Sequence, residues 1–152
     1  MYSRAMLKSL HVLAAVLFVG NVVVTGVWAE LALRARRTAA DFTLAARAIW
    51  ITDWLFSIGA ATVLTATGIA QALLRGWSLW GTPWIRDTIM LLAASTVLWL
   101  AVLLPTQLEL SRAAAADDDA RLLRAFRRWR VVGWLATLPL VLALWRMVAK
   151  DG

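Results

Sequence analysis

Three stretches of this chain, residues 9–29, 54–74 and 88–108, each run for 21 residues without an Asp, Glu, Lys or Arg. At about 1.5 Å per residue, a helix of that length covers about 31 Å, which matches the hydrocarbon core of a bilayer. A fourth stretch, 131–149, is interrupted only by Arg146, one turn from its end, where a long side chain reaches the interface. Membrane strands are about ten residues long and alternate in polarity, and these stretches do neither. The expected fold is an all-α integral membrane protein, an antiparallel four-transmembrane-helix bundle. One domain, 1–152, holds spans at about 5–33, 41–74, 83–112 and 117–149.

Composition supports this reading. The chain is 62% hydrophobic and 16% charged, against about 25% charged in a soluble domain, and it has no cysteine. A water-soluble globule, a disordered chain and a disulfide scaffold are therefore excluded. A net charge of +7 ordinarily points to nucleic acid. On so apolar a background, the arginines instead report membrane topology and contact with anionic lipids. The 121–130 run, with Phe126 and Trp129 among its arginines, adjoins a span and reads as a lipid anchor; no nucleic-acid partner is expected.

Breakers and caps delimit the helices. Asp41 or Thr38 is a candidate cap before the second helix, and the Asp117–Asp119 run suits the N-terminus of the fourth. Gly76 is placed to stop the second helix, and Pro83 to start the third. Arg4, Lys8, an apolar run and Val27-Trp28-Ala29 loosely imitate a signal peptide, but the apolar run is too long, and a retained span is expected. Ten Lys and Arg fall on the side of the 30–53 and 109–130 connections, and six on the opposite side. The expected location is a bacterial cytoplasmic (inner) membrane, with both termini outside. Nine of the ten tryptophans lie near span ends as interface markers; Trp99 alone is mid-span, level with Gly20 and a candidate to pack on it.

Intramembrane polar groups are where function is first sought, because they are costly to bury. Antiparallel alignment of the windows sets His11 level with Ala72 and Met90, and Asn21 level with Thr62. An outer cluster collects Lys8, His11, Gln71, Arg86, Asp87, Met90 and Arg146. His11 is the only histidine, and a neutral imidazole suits haem iron or copper. Met90 is a candidate second ligand. The plain alternative is an interfacial histidine bonded to Gln71 or water. An inner cluster of Asn21, Thr25, Thr52, Asp53 and Ser57, with Arg130 as a candidate sixth member, reads as helix-to-helix glue or as a proton or substrate path. Ser57, Ala61 and Thr65 form a small-residue edge suited to a homodimer. With one histidine and no cysteine, no class of enzyme stands out, and activity is left open.

Leu7-Lys8-Ser9-Leu10-His11 with Gly20-Asn21 resembles the opening of a bacterial family of predicted integral membrane proteins of unknown function. Thr52-Asp53-Trp54-Leu55-Phe56, then Gly76-Trp77 with Pro83-Trp84, then Trp99 with Leu104-Pro105-Thr106-Gln107-Leu108, match it in order. The Lys-x-x-His opening is also similar to that of copper-resistance D-type proteins and of J-type protoporphyrinogen oxidases. The second resemblance implies haem b, or a related tetrapyrrole, held by His11. Where those oxidases carry a lysine after a tryptophan, this chain has Arg86 after Trp84-Ile85. On this reading His11, Met90, Lys8, Arg86 and Arg146 are the cofactor-binding residues: Arg86 and Arg146 neutralise propionates, and Met90 or an open position completes the iron. The alternatives are copper handling, and a non-enzymatic accessory subunit of a larger membrane complex.

Overall fold

Four long helices carry the chain in the computed structural model, which describes residues 2–149. They are α1 (Tyr2–Ala35), α2 (Ala40–Leu74), α3 (Pro83–Ala115) and α4 (Asp119–Ala149). Each is long and apolar enough to cross a membrane. Lys150, counted above among the outer charges, lies outside the described residues.

The turns follow from their residues. Gly76 has φ +70° at the end of α2, with Trp77 N–H donating to Ala72 O (2.9 Å) and Gly76 N–H to Leu73 O (3.1 Å). Only glycine takes that conformation without strain. Pro83 opens α3 in its first turn. Asp118 caps α4 by accepting from Arg121 N–H at 2.9 Å. Asp41 acts differently from the expected cap: its carboxylate accepts from Arg37 and Thr38 N–H, at 2.8 and 2.9 Å, and so folds the α1–α2 turn.

α1 packs along α2, and α3 packs along α4, giving two hairpins. The hairpins meet at the arginine-rich end, where the Thr43–Thr52 part of α2 lies on the Leu104–Ala115 part of α3. Ala40 N–H donates to Asp117 Oδ1 (2.8 Å), and Arg36 pairs with Asp119 (2.6 Å), so the two turns at that end are joined. The largest fully buried apolar side chains, Phe42, Ile49, Leu110, Leu122 and Phe126, all lie in this region beyond or at the edge of the charge-free windows. The reason is the solvent. Where helices emerge into water the hydrophobic effect drives a core together, with Phe42 and Phe126 edge to face at 5.7 Å. Within lipid that drive vanishes, and small residues and hydrogen bonds hold the helices. The mid-membrane contact is accordingly slight: Phe18, Ala60 and Leu140, flanked by Val22, Ala61, Leu64 and Leu92.

Two turns widen into π-helix, Asp53–Ile58 in α2 and Trp99–Leu103 in α3. Pro105 accounts for the second. It cannot donate to the carbonyl four residues back, and its ring crowds that carbonyl, so the preceding turn opens. Leu104 N–H then reaches Trp99 O. Such turns are frequent at functional sites.

Candidate functional site

The register of α1 against α2 is displaced by a little over one helical turn from the window alignment. His11 meets Thr67 rather than Ala72, and Asn21 meets Ser57 rather than Thr62. The windows began α2 after Asp53 because it carries a charge, whereas Asp53 itself enters the protein interior and is only 8% exposed.

At the end away from the arginine-rich turns, His11 Nδ1 lies 3.0 Å from Leu64 O and 3.0 Å from Thr67 Oγ1. A carbonyl only accepts, so Nδ1 carries the proton and Nε2 of the neutral ring is the acceptor. Gly68 makes room for the ring: a Cβ there would stand 3.1 Å from His11 Cε1. Gln71 turns instead to Thr67 O, at 3.3 Å. Lys8 is exposed, one turn from His11 on the same helix. Arg146 bridges α4 to α3 through Asp87 (2.8 Å), which Arg86 also contacts (3.1 Å). Met90 is 59% exposed, on the part of α3 that packs against α4 rather than α1. The structure thus brings Arg86 and Arg146 together around Asp87, and His11 to α2.

Of the polar cluster expected near the arginine-rich end, Asn21, Thr25 and Ser57 gather around Asp53, while Thr52 donates to Ala48 O (2.9 Å) on its own helix. Asn21 Nδ2 and Ser57 Oγ both donate to Asp53 Oδ1, each at 3.2 Å. Trp99 Nε1 donates to Oδ2 at 3.4 Å, and Gln107 Nε2 donates to the same oxygen. Asn21 Nδ2 also donates to Ser57 Oγ (3.1 Å), and its Oδ1 accepts from Thr25 (3.2 Å). Three helices therefore converge on one carboxylate. Four side-chain donors reach its two oxygens. No Lys or Arg among the described residues lies within ion-pair distance of it.

Asp53 was expected at the interface, and Trp99 against Gly20; in fact a Cβ on Gly20 would meet nothing within 4 Å, and Trp99 stacks edge-on with Trp54 at 6.3 Å. Gln107 was not foreseen as a partner, although an amide just inside a span end needs one. Ser57, expected on a dimer edge, is buried and bonded within the network, and Ala61 packs near Phe18.

Beside Asp53 lies a cavity of 480 Å³ lined by all four helices. Its walls are largely apolar, including Phe18, Val22, Trp99, Trp134 and Leu140. At its arginine-rich rim, Glu30 accepts from Arg34 (3.1 Å) and Arg130 (3.2 Å). Among the described residues, no group of three or more His, Cys, Asp or Glu is placed to hold a metal ion.

No curated protein and no solved structure matches the chain. A family model described as "Predicted integral membrane protein (DUF2269)" matches residues 5–151, nearly the whole chain. The fold agrees with that description, with four membrane-crossing helices in one antiparallel arrangement. The chain belongs to this family of integral membrane proteins.

Proposed function

We propose that the protein binds haem b, or a related tetrapyrrole, at its outer end, where His11 would hold it. The observation that supports this is the posture of the ring. Metal-ligating histidines almost always donate their second N–H to a carbonyl or carboxylate, which fixes tautomer and orientation. His11 does so through Leu64 O, with Thr67 Oγ1 sharing the contact and Gly68 clearing space. The ring is only half-buried, and among the described residues no hydrogen bond engages Nε2. A donor set of one imidazole suits a haem with a single protein ligand, while a copper site needs more donors than His11 and a lipid-facing Met90 supply.

A haem held there supplies one-electron chemistry. The chain's own residues set its position. Thr67 and Leu64 orient His11, Lys8 on the same face of α1 stands ready for a propionate, and Arg86 and Arg146 offer further cationic partners once shared with Asp87. The site belongs to the outer face of a bacterial inner membrane, with the arginine-rich turns in the cytoplasm and anionic lipids around them. The test is spectroscopic. Protein purified in mild detergent and titrated with haem b should show a Soret band that His11→Ala abolishes. A band unchanged in that variant contradicts the reading.

A further inference from the structure

We propose that the arginine-lined hollow between α3 and α4 is a binding site for a lipid whose headgroup carries two phosphodiesters, as in cardiolipin. This inference is independent of His11 and of the Asp53 network, and it goes beyond a general attraction of arginines to an anionic surface.

The hollow has a volume of 350 Å³ and is lined by Glu109, Arg121, Arg124, Ala125 and Arg128. Arg121, Arg124 and Arg128 stand at i, i+3 and i+7 on α4 and so share one face of the helix. Ala125 lies among them, buried, and its small side chain leaves the space they surround open.

Charge is unbalanced here. Glu109 is the one carboxylate in the lining, and Arg121 already holds it at 2.8 Å. The charges of Arg112, one turn along α3, and of Arg128, on α4, act on it as well. Among the described residues, Arg112, Arg124 and Arg128 form no ion pair. The neighbouring acids are engaged elsewhere: Asp117 with Ala40 N–H, Asp118 with Arg121 N–H and Asp119 with Arg36. Four guanidinium groups therefore share one carboxylate. Like charges a turn apart, such as Arg124 and Arg128, repel until an anion joins them, and the guanidinium fork matches phosphate oxygens.

Depth selects the source of the phosphate. Arg112 stands four residues beyond the uncharged 88–108 stretch, and Arg128 three residues before the 131–149 stretch. At about 1.5 Å per residue, both sit about 4–6 Å past the hydrocarbon edge, within the headgroup layer. They reach this level from different helices, so the site offers two cationic positions at one depth with Glu109 close to both. Two linked phosphates fit that pattern better than one, and basic pockets between membrane helices suit such headgroups.

The experiment uses the full chain, delipidated in a non-ionic detergent, and counts bound ligand by native mass spectrometry. The probes are cardiolipin, phosphatidylglycerol at twice the molar amount, and inorganic pyrophosphate. One cardiolipin per chain should bind at least about tenfold more tightly than phosphatidylglycerol, because its second phosphate is tethered to the first. Arg124→Gln and Arg128→Gln, both at exposed positions, should each weaken it about fivefold. Arg47→Gln, an equal loss of charge at an exposed position on α2 outside the hollow, should leave it unchanged. Glu109→Gln should tighten it by a factor similar to the loss in Arg128→Gln. Equal retention of the two lipids, pyrophosphate binding as tight as that of cardiolipin, or equal weakening by Arg47→Gln and Arg128→Gln overturns the proposal.

Discussion

Trp99 Nε1 donates to Asp53 Oδ2 at 3.4 Å, and this contact joins the π-helical turn of one hairpin to the π-helical turn of the other. Trp54, next to Asp53, meets the Trp99 ring edge-on at 6.3 Å, so the two irregular turns are fastened by both a polar and an aromatic contact. Together with Gln107, Trp99 makes Asp53 the point where the hairpins are joined within the membrane.

The Asp53 network should carry measurable stability. Gln107→Leu removes one donor from a buried carboxylate and is expected to cost about 2 kcal/mol. Asp53→Asn confronts four donors with a side chain offering a single acceptor oxygen, and should cost about 3 kcal/mol. The double variant should fall well short of the sum, since both changes break one contact. Unfolding of the detergent-solubilised protein, followed by circular dichroism, measures each value; strict additivity contradicts the network.

Stability from apolar packing should concentrate at the arginine-rich end. Phe126→Ala, in the core with Phe42, should cost about 3–5 kcal/mol. Phe18→Ala, in the slight mid-membrane contact, should cost clearly less, because lipid fills the space as readily as protein does. Reversal of that order in the same unfolding assay contradicts the division between a water-driven and a lipid-embedded region.

At the tight turn after α2, Gly76→Ala forces an L-residue to φ +70° and should destabilise by about 1 kcal/mol. Gly20→Ala, where an added Cβ meets nothing, should be neutral or slightly stabilising. A thermal melt of both variants beside the wild type makes the comparison.

Orientation is open to chemical labelling because the chain has no native cysteine. Single cysteines at Arg36 and Arg121 should be shielded from an impermeant thiol reagent in intact cells, and become reactive on permeabilisation. Labelling of both in intact cells reverses the topology.

The helices were legible from charge alone, since 21 uncharged residues in a row leave a chain few alternatives, and Gly76 and Pro83 mark their turn by conformational necessity. The polar network was less legible for the same reason. A rule that ends a span at the first charge places Asp53 at the interface, and the compensation that draws it inward comes from Trp99 and Gln107, roughly fifty residues away along the chain. That error also set α1 a turn out of register with α2, and so gave His11 the wrong neighbour. The π-helical turn at Trp99–Leu103 has a local cause in Pro105. The turn at Asp53–Ile58 has no proline behind it, and nothing in its residues announces it.

The most direct test of the His11 reading is the absorption spectrum of the full chain, purified in mild detergent and titrated with haem b, compared with His11→Ala and Thr67→Val. The expected result is a saturable one-to-one Soret band in the wild type, its loss in His11→Ala, and a shifted band with weaker binding, by about tenfold, in Thr67→Val, where the support of the ring is altered. Absence of a saturable band in the wild type, or the same band in all three proteins, contradicts ligation by His11.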